Sequence, residues 1–188
     1  VYIYSKRKIT ANLKEYSSAF AKVPHVLCYA VKANSNRAVM KEIFANGAGA
    51  DITSGGELYR ALKAGASPSK IVFAGIGKSA EEIGFAARSN ILMFNAESPE
   101  EAAVINETGR RLKKRLNISF RINPNVDPHT HAYITTGAED NKFGIPIASA
   151  VKAYLEARKL SGINIAGIHC HIGSQITTLA PFKLMARK

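Results

Sequence analysis

The sequence predicts an α/β fold in which parallel strands alternate with helices. Short runs of apolar and β-branched residues recur along the 188 residues, and longer segments with helical periodicity separate them. No linker or change in composition interrupts this alternation, and 46% of the residues are hydrophobic, which is enough for a sizeable core. These observations favour one parallel-sheet domain, and periodicity alone leaves an open doubly wound sheet and a closed barrel as alternatives.

Six strands are predicted from the apolar runs VLCYAV, ADIT, IVFAG, ILMFN, ISFRIN and IAGIHCHI. The segment KITANLKEYSSAFAK predicts an opening helix. Serine caps followed by acidic residues, and several closing glycines, predict the helices between the strands: NRAVMKEIFANG, SGGELYRALKAG, SAEEIGFAARS, SPEEAAVINETG and PIASAVKAYLEARK. The polar stretch NPNVDPHTHAYITTGAEDNKFGIP is a long insertion after the fifth strand, and insertions of this length are often functional.

The basic composition does not by itself predict a nucleic-acid partner. The chain has 26 Lys and Arg against 14 Asp and Glu, a net charge of +12, which suits nucleic acids or anionic metabolites. The cations are dispersed, and the densest run, RRLKKRLN, has no interleaved aromatic residues for base stacking. A solvated basic face is the better interpretation.

The apolar runs and the cysteines indicate the cellular compartment of the protein. The longest apolar runs are much shorter than the roughly 20 residues of a membrane span, and the first residues lack the layout of a signal peptide. We therefore expect a cytoplasmic protein without a membrane partner. Cys28 and Cys170 lie in apolar runs, which indicates buried thiols rather than a disulfide framework.

Lys32 is the first candidate for chemistry. It follows an apolar run, and we expect it on the face of Cys28 and Ala30 at the carboxyl end of a strand, where α/β folds place their sites. A partly desolvated lysine there has a lowered pKa and can form a Schiff base. A lysine that extends along apolar surface into water is the alternative.

The segment IAGIHCHIGSQI carries the second candidate group. Strand alternation predicts His169 and His171 on one face, and a Gly-Ser turn follows. An imidazole can stack on an aromatic ring, and the turn can offer N–H and hydroxyl groups to a phosphate. A zinc site is an alternative, but no third ligand has suitable spacing, so no metal is predicted. Histidines of a barrel interior are a further alternative.

Two more charged residues lie within strand-like runs. Asp51 precedes a helix start at Ser54, which on its own is a structural pattern. Arg121 shares a face with Ser119 and Asn123, where it could hold an anion or pair with a carboxylate. The stretches GIGKS and GAGAD lack the glycine spacing of nucleotide-binding loops, so neither predicts a nucleotide.

Taken in order, six motifs resemble the fold-type III, alanine-racemase-like decarboxylases that use pyridoxal phosphate (PLP), and among them the diaminopimelate decarboxylases. The motifs are YAVKANSN, GADITSGGELYRAL, IVFAGIGKS, FNAESPEE, RINPNVDPHTHAYITTGAEDNKFGI and GIHCHIGSQI. The resemblance covers nearly the whole chain. It implies a PLP-binding (β/α)8 TIM barrel, present as an incomplete barrel of about six β/α units over residues 1–188, truncated at both ends and without its C-terminal β-domain.

The resemblance also implies roles for individual residues. Lys32 would carry PLP as the internal aldimine, His171 would stack on the pyridine ring, and Asp51 would support the site near Lys32. Ser174 would lie near the phosphate or the ring substituents. The residues implied to line the site or to serve a structural or intersubunit contact are Arg121, Lys142 and His131.

The implied function is decarboxylation of meso-2,6-diaminopimelate to L-lysine and CO2, the last step of lysine biosynthesis, by a homodimer of the full-length protein. The isolated chain is expected to be inactive. Three alternatives remain: a sister decarboxylase acting on ornithine, arginine or carboxynorspermidine, a noncatalytic PLP-binding barrel, and a basic nucleic-acid-binding domain.

Overall fold

The computed structural model describes residues 1–126 and 143–188. By internal contacts the chain divides into two compact units, Val1–Phe94 and Asn95–Lys188. Each unit consists of parallel strands that alternate with helices along the chain. Within the described residues, no helix is both long and apolar enough to cross a membrane.

The first unit contains a parallel sheet in which consecutive strands are neighbours, in the order β1, β2, β3, β4. The last of these strands begins in the first unit and ends in the second. The strands are β1 Cys28–Ala30, β2 Gly49–Ile52, β3 Ile71–Phe73 and β4 Met93–Ala96, and the helices are α1 Lys6–Ala19, α2 Arg37–Ala45, α3 Gly55–Lys63 and α4 Ala80–Arg88.

The two faces of this sheet differ in burial, as strand alternation requires. The side chains of Ile52, Ile71 and Phe73 are fully buried, and Phe73 stacks on Phe94 with ring centroids 6.1 Å apart. The opposite face carries residues that are only half-buried: Cys28, Ala30, Asp51 and Val72. Each of the helices α2 to α4 buries an apolar stripe, so one face of the sheet forms the core of this unit.

Serine caps start the helices where the sequence predicts them. Ser54 accepts a hydrogen bond from the Glu57 amide, and Ser79 forms a reciprocal capping box with Glu82. Glu82 does more than cap its own helix: its Oε1 also accepts a hydrogen bond of 2.8 Å from the Gly55 amide at the start of α3. These hydrogen bonds, with Gly55 first and Ser79 second, lower the pKa of the Glu82 carboxyl.

The second unit is organised around β5, which pairs in parallel with both β6 and β7. Its strands are β5 Leu116–Asn123, β6 Ile145–Pro146 and β7 Ile163–His169, and its helices are α5 Pro99–Arg111, α6 Ile147–Ala157 and α7 Ala180–Arg187. Nearly every residue of β5 is buried, whereas β7 is largely exposed.

A β-bulge shifts the register between β5 and β7, and a tyrosine bridges the two strands nearby. The shift lies between Ile118 and Ser119. The Tyr154 hydroxyl accepts a hydrogen bond of 3.1 Å from the Phe120 amide and donates one of 2.8 Å to the Gly167 carbonyl. Its ring packs edge-on against Phe120. The hydroxyl therefore satisfies a backbone group on each strand.

Helix α5 contacts the segment that leads into β7 at two glycines. A Cβ on Gly109 would lie 2.1 Å from the Gly162 carbonyl oxygen, and a Cβ on Gly162 would lie 2.2 Å from the Asn106 carbonyl oxygen. The Gly162 amide also donates to the Asn106 side chain over 2.8 Å. Only glycine fits at both positions, because each contact is to backbone that cannot move aside.

The structure corrects two expectations about the strand ends. Strand β1 ends at Ala30, so Lys32 lies in a 3-10 turn, Val31–Ala33, and not on the strand face of Cys28 and Ala30. Likewise β7 ends at His169, so strand alternation does not place His171 on the face of His169. Both sequences continue their apolar pattern past the point where the ladder of hydrogen bonds stops, which periodicity cannot detect.

Candidate cofactor site

Lys32 occupies the turn that joins β1 to helix α2. Its side chain is exposed, and within residues 1–126 and 143–188 no hydrogen bond or ion pair involves it. The turn follows the carboxyl end of a parallel strand, the edge at which α/β folds hold their ligands. A primary amine without a described partner at this edge suits a cofactor that bears an aldehyde.

Two side chains bind the backbone of the residues just after the Lys32 turn. The Tyr29 hydroxyl donates a hydrogen bond of 3.2 Å to the Asn34 carbonyl. Arg60 of helix α3 donates from Nε and Nη2 to the Ser35 carbonyl, over 3.3 and 3.2 Å. The segment then enters α2 through Asn36, whose side chain accepts from the first turn of that helix.

Asp51 lies on the strand next to the Lys32 turn. It is half-buried in β2 and is the register partner of Ala30 in β1. Burial raises the pKa of the nearby Cys28 thiol to about 11, and the negative charge of Asp51 adds to that increase. The thiol is therefore protonated at neutral pH, which makes Cys28 a poor nucleophile.

The end of β2 is held by a glutamate of the following helix. One carboxylate oxygen of Glu57 accepts hydrogen bonds from the Thr53 amide, at 2.6 Å, and from the Thr53 hydroxyl, at 3.1 Å. Asp51 is two residues before Thr53, so this contact fixes the backbone that carries it. The motif SGGEL predicted Glu57 only as a residue of the first helical turn.

In the second unit, β5 presents a buried polar face beside the end of β4. Arg121 and Glu97 form an ion pair of 3.0 Å with side chains 9% and 6% exposed. The Ser119 hydroxyl donates to the side chain of Asn95 over 2.7 Å. The guanidinium of Arg121 also lies 4.7 Å from the centre of the Phe143 ring. Of the two roles that the sequence left open for Arg121, the structure shows pairing with a carboxylate.

His171 and Ser174 lie in the loop that follows β7. His171 is half-buried and Ser174 is exposed. Between them Gly173 has φ +142°, and Gln175 has φ +58°, so the backbone turns sharply here. An exposed hydroxyl on such a turn can bind a phosphate oxygen, as the sequence predicts.

The structure thus places Asp51 on β2 and Lys32 in the turn that follows the adjacent strand β1, both in the first unit. Arg121, His171 and Ser174 belong to the second unit. His131 and Lys142 lie outside the described residues. Among the residues that are described, no three His, Cys, Asp or Glu side chains form a group that could hold a metal ion. Cys28 and Cys170 are free and half-buried.

Sequence reasoning missed several contacts around these residues. It named Arg121 but not its partner Glu97, and it gave no role to the Tyr29 hydroxyl or to Arg60. The signal for Glu97 was present in FNAESPEE, where a carboxylate follows a strand. The other two contacts join backbone carbonyls to side chains, and the sequence carries no pattern for that.

Comparison with known proteins gives a consistent result. The family profile described as pyridoxal-dependent decarboxylase, pyridoxal binding domain, matches residues 6–188. A diaminopimelate decarboxylase of Aquifex aeolicus is 48% identical over all 188 residues, which are 44% of that protein. The crystal structure of Helicobacter pylori diaminopimelate decarboxylase complexed with L-lysine has a TM-score of 0.95 and 42% identity, covering 98% of this chain and 47% of that one.

A second solved structure is similar in fold but less similar in sequence. The arginine decarboxylase of Paramecium bursaria Chlorella virus has a TM-score of 0.77 and 26% identity, covering 93% of this chain and 44% of that one. The chain spans less than half the length of the curated relatives it matches. The expected fold class is confirmed: the chain has the α/β fold of the PLP-binding barrel domain of fold-type III decarboxylases, as an incomplete barrel.

Proposed function

Since the chain belongs to the family of pyridoxal-dependent decarboxylases, whose pyridoxal-binding domain it matches, we propose that the protein carrying it decarboxylates meso-2,6-diaminopimelate to L-lysine and CO2. The observation that carries this proposal is the 48% identity to a diaminopimelate decarboxylase over the entire chain. The arginine decarboxylase shares only 26%. In this proposal the reaction is the last step of lysine biosynthesis, in the cytoplasm.

PLP, when bound, supplies a conjugated ring that accepts the electrons left behind as the carboxylate departs. The residues present fit this cofactor. Lys32 offers a primary amine that no described group engages, and it can bond reversibly to the aldehyde carbon. We propose that Asp51, on the neighbouring strand β2, supports the site near Lys32.

We propose that His171 and Ser174 contact PLP. A half-buried imidazole presents a flat face to an aromatic ring, and an exposed hydroxyl on a tight turn donates to a phosphate oxygen. The ion pair with Glu97 supports a structural role for Arg121 rather than direct substrate binding. His131 and Lys142 keep the site-lining or structural roles that the family implies.

The first test is CO2 release by the complete natural polypeptide mixed with PLP, with meso-diaminopimelate, ornithine, arginine and carboxynorspermidine offered separately. Release from diaminopimelate alone is the expected result. Preference for another of these amino acids would make the protein a sister decarboxylase, and PLP binding without release would make it a noncatalytic barrel. We also propose that the complete protein is a homodimer, which sedimentation of the same sample measures.

Lys32→Ala tests the role of the amine. Loss of CO2 release and of covalently bound PLP is expected, because the Lys32 amine is the group proposed to bond to the PLP aldehyde. Lys41→Ala is the matched control, since Lys41 is an exposed lysine of α2 a short distance along the chain. Full activity in the Lys32 variant would contradict the proposal.

A further inference from the structure

The turn that carries Lys32 is short and has few stabilising contacts of its own. It is a single 3-10 turn of three residues, Val31–Ala33, and 3-10 turns have poor hydrogen-bond geometry. Beyond it, Asn34 is extended, with φ −162° and ψ 105°, and the helix starts only at Arg37. Apart from a hydrogen bond of 2.9 Å from the Asn36 amide to the Asn34 side chain, the segment between the strand and the helix is held by contacts from outside it.

Two consecutive carbonyls of this segment receive such contacts. The Asn34 carbonyl accepts from the Tyr29 hydroxyl at 3.2 Å, and the Ser35 carbonyl accepts from two nitrogens of Arg60 at 3.3 and 3.2 Å. Tyr29 belongs to β1 and Arg60 to α3, so the segment just after the turn is bound both from the strand before it and from the helix of the next β/α unit.

Taking the proposed function as given, we propose that Tyr29 and Arg60 are positioning residues that hold the segment just after the Lys32 turn and so fix where the Lys32 amine stands. The rigid fork of a guanidinium, with two donors on one oxygen, sets both the distance and the direction of the carbonyl. The tyrosine ring is half-buried, which raises the pKa of its hydroxyl and keeps it a donor at neutral pH.

The hydrogen bonds from Tyr29 and Arg60 to this segment, called ties here, affect the position of the amine more than the stability of the fold. Arg60 is exposed, and exposed polar contacts contribute little to folding. The two ends of the segment remain fixed by β1 and by the Asn36 cap of α2. Losing a tie therefore loosens only the residues around Lys32. Displacing a reacting group by about 1 Å can reduce the rate on the order of 100-fold.

The test uses Tyr29→Phe and Arg60→Met in the complete polypeptide. Each has a control that removes the same group elsewhere: Tyr59→Phe, an exposed tyrosine of α3, and Arg88→Met, an exposed arginine in the last turn of α4. Arg60→Lys keeps the positive charge and N–H donors but loses the fork of the guanidinium, so its defects should be smaller than those of Arg60→Met.

Three measurements are made on each variant. Hydrogen exchange without PLP reports the opening of residues 31–36, and we expect it to be about fivefold faster than in the controls. Borohydride reduction followed by peptide mapping reports how fast PLP attaches to Lys32, and we expect a similar slowing. With substrate, kcat should fall about tenfold while KM changes by less than about twofold.

The outcomes separate this inference from the proposed function. Unchanged exchange of residues 31–36 in both variants would refute the ties themselves. A lower unfolding midpoint with normal PLP attachment and normal kcat would reduce Tyr29 and Arg60 to structural residues and also overturn the inference. If the unaltered protein carries no PLP on Lys32, the proposed function is wrong, and so is the proposed effect of Tyr29 and Arg60 on catalysis.

Discussion

Replacing Glu97 with glutamine should lower the free energy of unfolding by about 3 to 5 kcal/mol. The Glu97 and Arg121 side chains are 6% and 9% exposed, and their charged atoms are 3.0 Å apart. Two unit charges at that distance attract by about 5 kcal/mol at the effective dielectric constant of about 20 that suits protein interiors. Glutamine removes this attraction, and the arginine stays charged because it cannot lose its proton.

Urea unfolding measures this cost, and two further variants identify its cause. The double variant Glu97→Gln, Arg121→Met should recover most of the loss, because it leaves no buried charge without a partner. Glu107→Gln is the control, since its ion pair with Arg110 is 3.3 Å long but 69% and 61% exposed. That change should cost less than about 1 kcal/mol.

A cost below about 1 kcal/mol for Glu97→Gln would refute the reasoning, because a pair of this kind would then behave like a surface pair. A double variant as unstable as the single one would refute it differently. It would show that the loss comes from packing around Glu97 and not from an uncompensated charge on Arg121.

Three other changes test the fold. Tyr154→Phe removes a hydroxyl that satisfies two backbone groups, and should cost about 1 to 3 kcal/mol in urea unfolding; no loss would mean that water replaces the hydroxyl. Gly109→Ala places a methyl group against the Gly162 carbonyl and should cost about 3 kcal/mol or more, whereas a tolerated alanine would contradict the close contact. Glu82→Gln should destabilise the protein at neutral pH and much less near pH 3. The folded state lowers the pKa of the Glu82 carboxyl, so its contribution to stability is present above the ordinary pKa and is lost as the pH falls through the folded-state pKa. An equal loss of stability at both pH values would exclude this linkage.

Helix caps and apolar runs allowed much of this fold to be predicted from the sequence. Serine caps with acidic residues behind them marked the helix starts at Ser54, Ser79 and Ser98, and each of these serines caps a helix. Apolar runs marked the strands that are buried on one or both faces. Strand β6 and helix α7 were not predicted, because a strand of two residues and a short basic helix leave little periodic signal.

The site was predictable as a set of residues but not as an arrangement. Lys32 stood out because a lysine follows an apolar run, yet the strand ends two residues earlier and the turn that follows gives no periodic signal. Arg121 was singled out by the strand face it shares with Ser119 and Asn123, but its partner Glu97 lies 24 residues away, just after another strand. Contacts between side chains and distant backbone depend on the folded chain, so sequence patterns cannot specify them.

The Glu82 carboxylate has a consequence for the order in which the first unit opens. One oxygen accepts from the Gly55 amide and the other from the Ser79 amide, so a single side chain completes the starts of α3 and α4. Neither helix start can fray while that side chain stays in place. We therefore expect the two consecutive β/α units to share one cooperative local unfolding reaction, in which the Gly55 and Ser79 amide protons exchange with solvent at a common rate.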